Sequence, residues 1–168
     1  EKIFLLITKN SFIRSLADIN RDHKEIPIMW NHPATRTACK SKLDLATDDF
    51  IVDYKTCQDC DPRTIAATVH RFGYDIAAAF YQLAYESLTG VRPPFLWIFV
   101  QKDGLGYELV DAEPFLPYAH QVVEDNLRYI KDDDFSDLFE KEIIRIDRPE
   151  WTLNNSYELE EPSEYRTN

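Results

Sequence analysis

The chain has 168 residues, 44% hydrophobic and 13% aromatic, which is enough to bury one substantial core. A formal net charge of −11 excludes the broadly cationic surface that attracts nucleic acid or anionic membrane indiscriminately, and no apolar run approaches the ~18 residues of a membrane span. Three cysteines, Cys39, Cys57 and Cys60, make an odd count that suits a reducing cytoplasm better than a disulfide framework.

The opening EKIFLLITKN lacks the cationic lead and small-residue cleavage pattern of a signal peptide. Without an initiator Met, the chain is expected to be a piece of a longer one. KIFLLI suits either a strand or a helical turn. SFIRSLADINRDH spaces Phe12, Ile13, Leu16 and Ile19 as a helix does, with Ser11 as its expected N-cap. Ile26, Ile28 and Trp30 then alternate, the pattern of a strand. TACKSKLDLA and FIVDYKT supply two more strands, and the turns HPATR and TDD make the three an antiparallel meander.

CDPRTIAATVHRFGYDIAAAFYQLAYESLTG is helical: Asp61 caps it, Pro62 suits its first turn, Gly73 divides it and Gly90 ends it. PPFLWIFVQKD reads as a central buried strand and GYELVDA as its partner. PFLPYAHQVVEDNLRYIKD and DFSDLFEKEIIRI read as two further helices. From DRPEW onward the periodicity fades, so the expected division is a domain over 1–153 and an acidic tail over 154–168. The order of elements predicts an α/β fold, a mixed sheet flanked by helices.

Alternation along the third strand puts Asp53 and Lys55 on one face, with Ile51 behind them. Asp44 and Asp53 lie symmetrically about the TDD turn, so they can face each other across the hairpin. Two close carboxylates repel unless a cation lies between them, and a hard ion such as Mg²⁺ takes oxygen ligands. A lysine alongside can orient a water or neutralise charge on a phosphate, and Glu25 at the start of the first strand offers a third carboxylate. Spacing alone also fits a salt bridge at a hairpin end. CQDC has the spacing of half a zinc site, but no second pair follows, so Cys57 and Cys60 are read as ordinary thiols near a turn. His70 and Arg71 read as surface residues, with a phosphate contact as the alternative.

Six short motifs occur in order: KEIPIMW, KSKLD, IVDYKT, YDIAAAFY, GVRPPFLWIFV and RPEW. Together, over residues 20 to 151, they resemble the nuclease domain of the RecE-type exonucleases (exonuclease VIII). That family lies in the PD-(D/E)XK superfamily, with lambda exonuclease and the RecB nuclease domain as relatives. The resemblance implies a restriction-endonuclease-like fold and a Mg²⁺-dependent DNA exonuclease, with Mn²⁺ able to substitute. Such an enzyme digests duplex DNA 5′ to 3′ and leaves 3′ single-stranded tails for recombination. It implies Lys55 as the catalytic lysine, Asp44, Asp53 and Glu25 as metal ligands at the catalytic centre, and Lys40, Lys42 and Tyr81 as DNA contacts. The implied partners are double-stranded DNA ends, further copies in a toroidal trimer or tetramer, and a single-strand annealing protein. No membrane is implied, and the location is the cytoplasm of a bacterium or prophage host.

Two departures stand out. The family's Gln in the YDIAAAFY motif, expected to help position DNA or water near the metal, is Ala77 here, and Gln82 points roughly 140° away on a helix. The family's upstream Gly-x-x-x-His motif is not found before Glu25. These motivate an alternative, a nuclease-fold DNA-binding or assembly protein with little activity; a DNA repair or CRISPR-adaptation nuclease is a third reading.

Overall fold

The computed structural model describes residues 10–102 and 106–132. The expected segment KIFLLI, the helix at DFSDLFEKEIIRI, the RPEW motif and the boundary at 153 lie outside the described residues.

Helix α1 spans Ser11–Asp18 and buries Ile13 and Leu16. Its N-cap is Asn10 rather than Ser11: the Asn10 side chain accepts from the amides of Phe12 and Ile13, so Ser11 falls inside the first turn. After a 3₁₀ turn at Arg21–His23 come strands β1 (Lys24–Asn31), β2 (Ala38–Ala46) and β3 (Ile51–Cys57). They pair antiparallel in sequence, as the meander requires. β1 is an edge strand, the position in which Pro27 costs the sheet least.

Helices α2 (Pro62–Phe72) and α3 (Tyr74–Thr89) share one joint residue. Gly73, at φ 62°, is both the C-cap of α2 and the N-cap of α3, in the left-handed region that favours glycine. β4 (Phe95–Gln101) then pairs parallel with β3, and β5 (Tyr107–Asp111) antiparallel with β4. Helix α4 (Leu116–Asp132) follows. The sheet order is β1-β2-β3-β4-β5, the mixed α/β architecture that the element order predicts.

The near-continuous apolar run of β4 follows from burial on both faces. Phe95, Trp97 and Phe99 join the core beneath α2, α3 and α4, while Ile98 packs in a second cluster with Ile13 and Leu16 of α1. β2 carries one irregularity. Leu43 and Ala46 belong to the larger core, but Leu45 belongs to the α1 cluster together with its partner Val52. Strict alternation would put Leu43 and Leu45 on one face. It therefore breaks at Asp44, and between the flanking pairs Lys24↔Leu45 and Ile26↔Leu43 the backbone of Glu25 takes φ 53°.

Two polar ties fix the hairpins. Tyr85 of α3 donates to Asp48 in the β2–β3 turn at 3.0 Å, and burial with that bond pushes its phenol up to about 12. His32, buried at the end of β1, reaches Glu124 of α4 through Nε2 at 3.0 Å, while its Nδ1 accepts from the Thr35 amide.

Candidate active site

β3 and β4 stay in register from Ile51↔Phe95 to Cys57↔Gln101. β2 and β3 do not: their backbone pairing comprises only Leu45↔Val52 and Ala46↔Ile51. Beyond it the strands part. Continued by one step, that register would bring Asp44 opposite Asp53. Instead the broken alternation turns the Asp44 side chain toward β3, where Oδ2 accepts the Tyr54 amide at 2.8 Å. A side chain thus takes the place of a ladder bond and satisfies a donor that the separating strands would leave unpaired.

Asp53 and Lys55 share the face of Ile51, and Lys55 Nζ lies 2.5 Å from Asp53 Oδ2. Their side chains are 8% and 21% exposed. Burial raises the pKa of Asp53; the Lys55 ammonium pulls it back only in part, and the charge of Asp44 pushes it further up. Lys55 also sits over the ring of Tyr74, 4.8 Å from its centroid. Tyr81, about two turns further along the same side of α3, is half-buried, and its phenol is pushed up by burial and then by the charge of Asp53. Asp44, Asp53, Lys55 and Tyr81 thus form one electrostatic group.

The other expected site residues lie apart from that group. Glu25 pairs with Lys42, both well exposed on the β1–β2 hairpin. That contact, before all else, raises the Lys42 pKa, with Asp44 a minor contributor. Lys40 is exposed opposite Met29. Among the described residues no three acidic, histidine or cysteine side chains are close enough to hold a metal together, so Glu25 is not gathered with Asp44 and Asp53. The donor set that remains fits a hard divalent ion all the same. Two carboxylates lie at the mouth of the parted strands, one of them buried with its charge incompletely offset by Lys55. Mg²⁺ ordinarily takes only one or two carboxylates and fills its shell with water and phosphate oxygens.

Gln82 is no stand-in at Ala77. It is 2% exposed, donates to the Pro93 carbonyl at 2.7 Å and accepts from His120 at 2.9 Å, clamping α3 to α4 and to the segment before β4. The Cys57 and Cys60 sulfurs are 3.1 Å apart, and Cys60 is pushed up to about 12, first by burial, so it stays a protonated thiol. Sequence reasoning missed Tyr74. Its signal was its place as first residue of YDIAAAFY, immediately after Gly73, where α3 begins beside the end of β3.

The family model described as "PDDEXK-like domain of unknown function (DUF3799)" matches residues 7–131. No curated protein matches the sequence significantly. Among solved structures the chain is similar to one described as "Putative exonuclease" from Eubacterium rectale, with a TM-score of 0.62 and 16% identity. The likeness covers 92% of this chain and 64% of that one, so the chain spans less than two thirds of that protein's length. At that identity it bears on the fold alone. A second structure, of SSO0001, has a TM-score of 0.39 and 8% identity over 73% of this chain and 57% of that one, too low to carry an argument.

Proposed function

The chain belongs to the PDDEXK-like domain family DUF3799, and from that premise we propose that it is a divalent-metal-dependent DNA exonuclease of the RecE type. The observation that carries the reading is the Asp53–Lys55 pair, held at 2.5 Å on a buried strand with Asp44 beside it. Asp44 and Asp53 would hold the ion, which supplies Lewis-acid polarisation of the phosphate and neutralises charge there. Asp53 and the ring of Tyr74 fix Lys55 Nζ. From that position its N–H groups can orient a water for attack or donate to charge developing on the phosphate. Tyr81, kept protonated by its raised pKa, is a neutral donor beside Asp53. Lys40 is available to a more distant phosphate of the same duplex, and Lys42 would exchange its Glu25 partner for another.

The finer reading is digestion from duplex ends, 5′ to 3′, leaving 3′ tails for an annealing protein, by a toroidal trimer or tetramer. It rests on the sequence resemblance. Duplex DNA labelled at either 5′ or 3′ ends, incubated with Mg²⁺ or Mn²⁺, tests it. The wild type should release the 5′ label first, and Lys55→Ala should lower the rate by about 100-fold or more. Absence of any metal-dependent digestion by the wild type would sink the enzyme reading. Light scattering on the eluted protein decides the assembly.

A second reading, a nuclease fold retained for DNA binding or assembly with little activity, draws on Ala77. Gln82 is committed to Pro93 and His120, so it does not replace the missing amide. If Ala77→Gln raises a feeble wild-type rate by an order of magnitude or more, this second reading gains.

A further inference from the structure

Where β3 passes Lys55 and ends, a cavity of about 450 Å³ opens between Thr56 at the strand end and the last turns of α2. Arg71, Phe72, Tyr74 and Lys102 are among its lining residues. A second groove runs along α2, sharing Thr64, Thr68, Arg71 and Phe72 and adding Arg63. Among the described residues no acidic side chain lines either, in a chain with 30 acidic residues and a net charge of −11. Two other described cavities do contain acids, Glu113 in one, Glu108 and Asp111 in the other. Among the described residues neither Arg71 nor Lys102 has an ion-pair partner, whereas Lys42, Lys55, Arg92 and Arg128 all do.

The aromatic side chains are arranged as well as the charges. Phe72 is 60% exposed and lies nearly parallel to Tyr74, with centroids 5.6 Å apart. Tyr74 in turn carries Lys55 over its ring. A shelf of two rings therefore runs from the proposed reaction centre out to solvent. The Arg71 guanidinium rests against the outer ring at 5.5 Å, where it covers part of an apolar face that water solvates poorly.

We propose that this cavity is a single-strand DNA subsite, in which a base stacks on Phe72 while Arg71 and Lys102 pair with the adjoining phosphates. The inference rests on the nuclease reading above and deepens it, by giving the strand beside the scissile bond a track. A base has an apolar face that fits an exposed ring, and in a duplex all but the terminal faces are already stacked. The arriving base displaces Arg71 from the ring and frees its guanidinium for a phosphate. Because stacking tolerates any base, the subsite recognises strandedness rather than sequence.

Anisotropy of a fluorescein-labelled 12-nucleotide oligothymidylate with the whole chain in EDTA isolates binding from hydrolysis. The single strand should bind more tightly than a blunt duplex of the same length. Phe72→Ala should weaken it by roughly 5- to 100-fold, and Phe72→Trp should preserve it. Arg71→Ala and Lys102→Ala should each reduce the slope of log affinity against log salt by about 0.7. Melting curves of the variants check that the exposed substitutions leave the fold intact. Unchanged affinity in Phe72→Ala, unchanged salt slopes, preference for the duplex, or no binding at all overturns the proposal. A wild type that digests DNA while Phe72→Ala binds normally refutes the subsite alone. A wild type that binds as described but digests nothing refutes the nuclease reading and leaves the subsite standing.

Discussion

Asp53 sits where burial raises its pKa more than Lys55 lowers it. An acid with a raised folded pKa binds its proton more readily folded than unfolded, so its ionisation costs stability. That cost is absent below the ordinary carboxylate range, grows as pH rises toward the raised folded value, and is full above it. Asp53→Asn should therefore melt above the wild type at pH 8, with the difference shrinking as pH falls toward 4, while nuclease activity is lost at every pH. A bound divalent ion favours the ionised form, so Ca²⁺ should raise the wild-type melting temperature at pH 8 and leave Asp53→Asn unmoved. Ser41 is a simpler case. Its buried hydroxyl has no hydrogen-bond partner among the described residues, so Ser41→Ala should stabilise the protein by about 1 kcal/mol in urea titrations. The pairing of Asp53 with Lys55 was legible in the sequence, because period-two alternation is fixed by the strand itself. The pairing of Glu25 with Lys42 was not: it depends on an exposed hairpin surface and a local φ of 53°, which no periodicity encodes.

At the scale of elements, the parting of β2 from β3 makes the site. The two strands share just two backbone pairs, and the Asp44 carboxylate holds the next amide. Asp44→Asn keeps an acceptor for the Tyr54 amide and should fold as the wild type does while losing activity. Asp44→Ala removes the acceptor and should cost about 0.5–1.5 kcal/mol in addition. His32 ties the end of β1 to α4, so His32→Ala should cost about 2–4 kcal/mol by leaving Glu124 and Thr35 without it. The meander and the buried β4 could be read from alternation and turn residues. The break of alternation at Asp44 could not, since Leu43 and Leu45 look equivalent in sequence and differ only in which helix layer each meets. The N-cap shifted by one for a similar reason: Asn10 and Ser11 are both competent caps, and packing of Ile13 and Leu16 selects the first.

For the whole molecule, a net charge of −11 confines attraction for DNA to the few cations near the site. Affinity for a short single strand should then fall only about ten- to twenty-fold between 50 and 200 mM salt, as expected for roughly three phosphate contacts. A broadly basic protein would lose far more. The order of the described elements, and the mixed character of the sheet, followed from the sequence because each element announces itself locally; the parallel seating of β4 against β3 did not. The juxtaposition of Phe72, Tyr74 and Lys55 did not, because it depends on how two helices meet across a single residue. Gly73 is the entire joint, and a Cβ there would meet nothing nearer than Ile76 Cδ1 at 3.8 Å. Substitution is therefore a matter of backbone strain, of about 1–2 kcal/mol. A change of length is another matter. One residue added at the joint would rotate α3 by about 100°, swinging Asp75, Ala78, Ala79 and Gln82 out of the interior and carrying Tyr81 away from Asp53. Among homologues this joint should accept no insertion or deletion between the rings of Phe72 and Tyr74, a spacing rule that helical geometry sets independently of the chemistry of either ring.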